Sequence, residues 1–257
     1  MPAVSTIHRQ GDLVHPELVC ADLAGDCDFY AQLFGWEYTP GVVGPHYIAT
    51  IGGMDCAGLA HTVTRADKVP TGWGPYLAVD DPDHVCKIIV ECGGNVAMAP
   101  RNIGEFGRIA FAADPFGAVF DLWRGGPVPG THVIGEPGTI CMAELITPDI
   151  EKSKIFYSTI FGLEFAHHSA GDTSGFGTVD TNGLQLVISP RTTESARDRN
   201  RWLVYLGVTD VAITIARAVE LGGVLVRPES TVHGQRTALL GDPHGATVGI
   251  VELAAQT

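Results

Sequence analysis

The stretch "FYAQLFGWEY", residues 29–38, returns as "FYSTIFGLEF" at residues 156–165, 127 positions later. A second pair lies 128 apart: "DPFGAVFDLW" (114–123) and "DPHGATVGIV" (242–251). A third, "YLAVDD" (76–81) and "YLGVTD" (205–210), is 129 apart. Offsets that agree so closely over so long a span predict a duplicated domain. The copies disagree at one telling position: Asp121 interrupts an apolar run in the first, and Gly249 stands there in the second.

Each copy divides again. Asp22, Asp81, Asp149 and Asp210 each follow a short β-branched run and precede an amphipathic segment. Each reads as a helix N-cap, its carboxylate accepting from the open N–H groups of the first turn. Pro82 suits the first helical position. The "GG" pairs at 93–94 and 222–223 suit left-handed C-terminal turns. Val85, Ile88, Ile89 and Cys92 fall on one helical face, as do Val211, Ile215 and Ala218. Short strands separated by Gly, Pro or Asn turns follow each helix. The unit strand–helix–strand–strand–strand is therefore written four times. The expected architecture is α+β: a domain at residues 10–124, a Gly/Pro-rich linker at 125–137 and a second domain at 138–253. A further loop, "SPRTTESARDRNR" (189–201), reads as a solvated lid or tether.

The 257 residues are 45% hydrophobic, enough to bury a core, so disorder is not expected. A formal charge of −13 argues against nucleic acid or an anionic membrane as partner. The opening "MPAVSTIHRQGD" has no apolar secretion segment, so a cytoplasmic location is the expectation. The six cysteines (Cys20, Cys27, Cys56, Cys86, Cys92, Cys141) form no CxxC and read as reduced packing thiols. No nucleophile elbow, P-loop or dinucleotide fingerprint occurs.

The four βαβββ modules, the "D…FYxxxFGxE" pattern and the "DPxG" turns resemble the vicinal oxygen chelate superfamily. That group includes glyoxalase I, bleomycin-resistance proteins and extradiol dioxygenases. The layout is similar to a tandem two-domain subgroup described as glyoxalase-like or hydroxylase, and the resemblance covers about residues 10–253. It implies two glyoxalase-like domains with curved, cup-shaped mixed sheets and ligands bound inside the cups.

In metal-using relatives one ligand lies on a module's first strand, seven residues before the capping Asp; here these positions hold His15, Gly74, Met142 and Leu203. Another lies seven residues past the "DPxG" Asp, at Asp121 and Gly249. A catalytic divalent site needs about three protein ligands and an open position. The clear donors are only His15 and Asp121, with Glu17 beside them and His61 if its strand has the right phase. No cofactor is therefore expected, and His15 and Asp121 are the metal ligands should a divalent ion bind. If modules pair within halves, His15 and Asp121 face one cavity; if they pair crosswise, they separate.

Glu17 and Glu144 stand at equivalent places in "HPELVCADL" and "MAELITPD". A buried Glu needs a partner. One reading is a structural ion pair with Arg108 or Arg236; the other is a carboxyl of raised pKa that moves a proton. These two are the candidate catalytic residues. The aromatics Trp36, Trp73, Trp202 and Tyr47 read chiefly as packing. Tyr76, Trp123 and Tyr205, with His15, Asp121 and Met142, are the candidate ligand-binding residues. His167–His168 and the lone His8, His46, His84, His132, His233 and His244 read as exposed turns rather than sites.

These residues suggest a small-molecule-binding protein of the bleomycin-resistance type, holding an aromatic or apolar metabolite without a complete metal site. The alternative is an enzyme of the same superfamily. It would be a lyase, isomerase or oxygenase/hydroxylase that uses either a partial metal site or Glu-mediated proton transfer. A third reading is an interaction protein with vestigial cups. The expected partner is a small molecule, the chain being a monomer or homodimer.

Overall fold

The computed structural model describes residues 8–62, 71–170, 173–178, 184–191, 200–232 and 234–254. Most of the expected lid at 189–201, and His233, lie outside the described residues. The first module runs β1 (Leu13–Cys20), α1 (Leu23–Phe34), β2 (Glu37–Pro40), β3 (His46–Ile51) and β4 (Met54–His61). The second runs β5 (Gly72–Ala78), α2 (Pro82–Glu91), β6 (Asn95–Ile103), β7 (Gly107–Ala113) and β8 (Val119–Gly125). The third is β9 (Ile140–Thr147), α3 (Ile150–Phe161), β10 (Phe165–Ala170), β11 (Thr173–Thr178) and β12 (Gln185–Pro190). The fourth is β13 (Arg201–Val208), α4 (Val211–Glu220), β14 (Val224–Val232), β15 (Gln235–Gly241) and β16 (Thr247–Glu252).

The caps act as the sequence predicts. Asp22, Asp81, Asp149 and Asp210 each accept from a first-turn N–H of their helix, at Gly25, His84, Lys152 and Ile213 respectively. Gly35 and Gly162 close α1 and α3 in the left-handed region at φ 75° and 71°. Each module crosses its helix to bring first and fourth strands together in parallel, as β1 with β4 and β9 with β12. The modules join within each half: β1 pairs antiparallel with β5, and β9 with β13. Two eight-stranded mixed sheets result, β2-β3-β4-β1-β5-β8-β7-β6 and β10-β11-β12-β9-β13-β16-β15-β14. Pairing is thus within halves, and His15 and Asp121 belong to one sheet.

One large apolar core spans both sheets and all four helices, from Leu13 and Phe29 to Phe156 and Ile250. At its centre lie two matching polar clasps, which explain the repeated motifs. Tyr30 of "FYAQLFG" donates to Asp242 of the second half's "DPHG" turn at 3.0 Å and accepts from Trp73 Nε1 at 2.9 Å. Tyr157 of "FYSTIFG" donates to Asp114 of the first half's "DPFG" turn at 3.2 Å and accepts from Trp202 Nε1 at 3.0 Å. Each Trp meets its Tyr edge-on, with ring centroids 5.4 Å apart. The other oxygen of each Asp accepts two backbone N–H groups of its own turn. Burial nonetheless holds both carboxyls above the ordinary Asp value, and it pushes both tyrosines well above theirs. The first half's helix therefore reads the second half's turn, and the reverse.

Removing one clasp hydroxyl leaves a buried carboxylate oxygen and an indole N–H without their partner. Tyr30→Phe and Tyr157→Phe are each expected to lose about 1–3 kcal/mol. Their losses should add in the double variant, because the clasps share no residue. Urea unfolding checks both statements.

Candidate functional site

The register of the first sheet places His15 opposite Tyr76, and Tyr76 opposite Asp121. Side chains alternate along a strand, so these residues share a face with Glu17, Phe111 and Trp123. That face forms a cavity of about 300 Å³. At one end Glu17, only 6% exposed, meets His46 Nε2 at 3.4 Å and His15 Nε2 at 4.0 Å through the same Oε2. Tyr76 stacks on His15 with centroids 5.3 Å apart and on Trp123 at 6.4 Å. The remaining walls are chiefly apolar, built from Ile48, Ile103, Phe106, Ile109, Phe111 and Val128, with Asp55 also lining them. Arg101 on β6 stands at the opposite end of the strand order and lines the same cavity.

Gly58, paired with Glu17 on the neighbouring strand, makes the polar end possible. A Cβ there would lie 2.7 Å from His15 Nε2, 2.9 Å from Glu17 Oε2 and 3.1 Å from His46 Nε2. Any other side chain would enter the space these three groups share. Gly74 on β5 is open above: a Cβ there would meet nothing within 4 Å.

The second half answers why Asp121 has no counterpart. There Val187 pairs with Glu144 as Gly58 does with Glu17, and Leu203 takes the place of Gly74. Met142 and Tyr205, expected among the ligand-binding residues, are fully buried in a cluster with Val187, Leu203, Leu239 and Val251. The Tyr205 ring lies flat against Gly249, where a Cβ would come within 2.3 Å of it. An Asp at 249 would collide with that ring. Glu144 accepts from the Tyr205 hydroxyl at 2.5 Å, and Arg227 donates to the same hydroxyl at 2.6 Å, 3.8 Å from the Glu144 carboxylate. Burial first, then the Glu144 charge, raises the Tyr205 hydroxyl well above its usual value. Among the described residues, these side chains pack together on the face of the second sheet that corresponds to the first cup.

Several expectations are corrected. Arg108 pairs with Asp83, and Arg236 with Glu229 and Glu252, so neither serves the buried glutamates. Glu144 is locked into the Tyr205–Arg227 cluster rather than facing a ligand. Asp121 is 3% exposed, between Tyr76 and Phe111 in register, and is not among the residues lining the cavity. His46, which the sequence reads as an exposed turn, is a member of the cup. Its position at the start of a strand alternating toward Ile48 was the available signal.

Residues 12–122 match the family described as the Glyoxalase/Bleomycin resistance protein/Dioxygenase superfamily, and residues 139–251 match one described as a Glyoxalase-like domain. The anthracycline biosynthesis protein DnrV of Streptomyces peucetius is 35% identical, covering 92% of this chain and 91% of its own. The putative glyoxylase CFP32 of Mycobacterium bovis is 32% identical over 97% of both. The chain belongs to the glyoxalase/bleomycin resistance protein/dioxygenase superfamily. Among solved structures, a Mn(II)-bound glyoxalase from Novosphingobium aromaticivorans superposes with a TM-score of 0.64 at 15% identity, covering 96% of this chain and 83% of that one. The 2,3-dioxygenase LapB from Pseudomonas sp. KL28 gives 0.63 at 13%, covering 96% and 93%. These likenesses establish the vicinal oxygen chelate fold.

A divalent metal is plausible in this fold, since one such neighbour carries Mn(II). The ligand pair expected from the sequence does not come together in the cup of this chain. Tyr76 lies between His15 and Asp121 with its ring on the imidazole, and Gly74 supplies no donor. Among the described residues, the trio of His, Cys, Asp or Glu side chains whose ligand atoms all fall within 4.8 Å of one another lies elsewhere.

Gly58→Val, which copies Val187, is expected to crowd Glu17 and His46 and to weaken uptake of a polarity-sensitive naphthalene dye at least tenfold. Tyr205→Phe should cost about 1–3 kcal/mol by leaving the buried Glu144 without its donor, with no effect on the dye. Fluorescence titration and urea unfolding separate the two effects.

Proposed function

We propose that the cup of the first half binds a planar, fused-ring aromatic metabolite, and that Glu17 with His46 moves a proton at one end of it. The observation that carries this reading is a buried carboxylate 3.4 Å from an imidazole, opening on an apolar, aromatic cavity. In such surroundings a carboxylate takes a proton from a carbon next to a ketone, and the neighbouring imidazole supports return of a proton to the ketone oxygen. The result is a keto–enol shift, balanced in atoms and electrons, with no oxidant or metal. Tyr76 and Trp123 offer ring faces for stacking. Arg101, which has no ion-pair partner among the described residues, suits an acidic or phenolic substituent at the far end. Relatives named for anthracycline biosynthesis, matching across nine-tenths of the chain, support a fused-ring aromatic as the ligand class.

A second reading, binding without chemistry, draws on the predominantly apolar lining. The two are separated with a tetracyclic quinone that bears a ketone on its saturated ring. Under the first reading it quenches tryptophan fluorescence on binding, and the wild-type protein accelerates deuterium exchange beside the ketone. Glu17→Gln should keep the binding constant within about threefold and lower exchange by roughly 10²–10⁴. Unchanged exchange in Glu17→Gln removes the proton role, and absence of quenching removes the ligand class.

A further inference from the structure

The duplication allows a controlled comparison of the two seams between the halves. In one seam α3 presents Ser153, whose hydroxyl bonds Thr147 at 2.8 Å, and the facing turn carries Asp114 and Phe116. In the other seam the equivalent positions hold Asp26 on α1 and Asp242 and His244 on the facing turn. Both seams keep the Tyr–Asp–Trp clasp, so the fold is satisfied by the neutral set. The second seam adds a carboxylate and an imidazole that this clasp does not require.

That addition is dense and built. Asp26 is fully buried; its Oδ1 meets His244 Nδ1 at 2.6 Å, and its Oδ2 has no hydrogen-bond partner. Asp26, Asp242 and His244 each bring a ligand atom within 4.8 Å of the others. Asp22 adds a third carboxylate, 3.4 Å from His244 Nε2. The imidazole can lie there only because residue 25 is glycine: a Cβ would come within 2.5 Å of its Cε1. Three carboxylates thus lie around one solvent-exposed imidazole, and the Asp26 Oδ2 is buried with no hydrogen-bond partner. A buried carboxylate oxygen without a donor is costly.

We propose that Asp26, Asp242 and His244 form a binding site for one divalent cation of the zinc or manganese class, bridging the two halves. One imidazole nitrogen and two carboxylates suit such ions, with the remaining position left to water. Binding replaces the proton on His244 Nδ1, which leaves to solvent, and gives the Asp26 Oδ2 a partner. The site lies in the seam beside the Tyr30 clasp, is separate from the cup, and does not depend on the proton-transfer reading. Its role is to tie α1 of the first half to the "DPHG" turn of the second.

The test uses the full chain freed of metal with EDTA, titrated with zinc or manganese chloride by calorimetry and followed by thermal unfolding. One ion per chain and a Tm rise of about 3 °C or more are expected. Asp26→Ser with His244→Phe installs the residues of the twin seam. This variant should fold with an unchanged circular dichroism spectrum and lose the response. Should it fail to fold, the isosteric Asp26→Asn is read by the same titration and should weaken uptake at least tenfold. Cobalt loading should give an absorption spectrum without a thiolate charge-transfer band, which separates this site from the six cysteines. No stoichiometric uptake by the wild type, uptake retained in the variants, or a thiolate band would each overturn the assignment.

Discussion

The structure depends on a hydrogen bond exchanged twice between the halves: a helix tyrosine of each donates to the turn aspartate of the other. An aspartate at the start of a tight turn is ordinarily occupied by that turn's own backbone N–H groups. Here one oxygen does that work and the other is turned inward, under burial that disfavours its charge. The tyrosine hydroxyl satisfies it, and a tryptophan indole satisfies the tyrosine in turn. Such a chain of donors is worth most when complete and costs most when broken. It accounts for the recurrence of "FYxxxFG" and "DPxG" in both copies, since each motif needs the other copy's partner.

With the seam fixed, the outer faces of the two sheets are free to diverge, and they have diverged in volume. The first half holds glycine at 58 and 74, where the second half has Val187 and Leu203. The first half's Tyr76 stands between His15 and Trp123, whereas Tyr205 lies down on Gly249. Each substitution in the second half fills space that the first leaves open. The equivalent glutamates then meet different fates. Glu17 faces imidazoles and a cavity, while Glu144 is consumed by a tyrosine and an arginine. The first half keeps an open cavity on this face, where the second half has a buried cluster among its described residues.

In that cup the expected ligand pair, His15 and Asp121, is separated in register by Tyr76. A ring stacks on His15, and the neighbouring strand position holds a glycine with open space above it. The first half therefore sets a buried carboxylate and an imidazole at one end of a chiefly apolar cavity.

The sequence by itself determined the duplication, the four helix caps, the order of strands and helices, and the glutamates as the buried acids to watch. These are local or periodic signals, written in spacings and cap residues. It also placed His15 with Glu17 and Asp121 with Trp123, because alternation along a strand is fixed by backbone geometry; that these pairs share one face with Tyr76 came from the strand register. It misplaced His46, read as a turn residue, and the partners of Arg108, Arg236 and Glu144. Those depend on which strand lies beside which and on what fills the space above each glycine. Only the tertiary structure decided that modules join within halves, that one cup is open and the other plugged, and that each half's helix reaches into the other's turn. Contacts between residues some 40 to 220 positions apart leave no mark in local sequence pattern, because either partner alone is compatible with many neighbours.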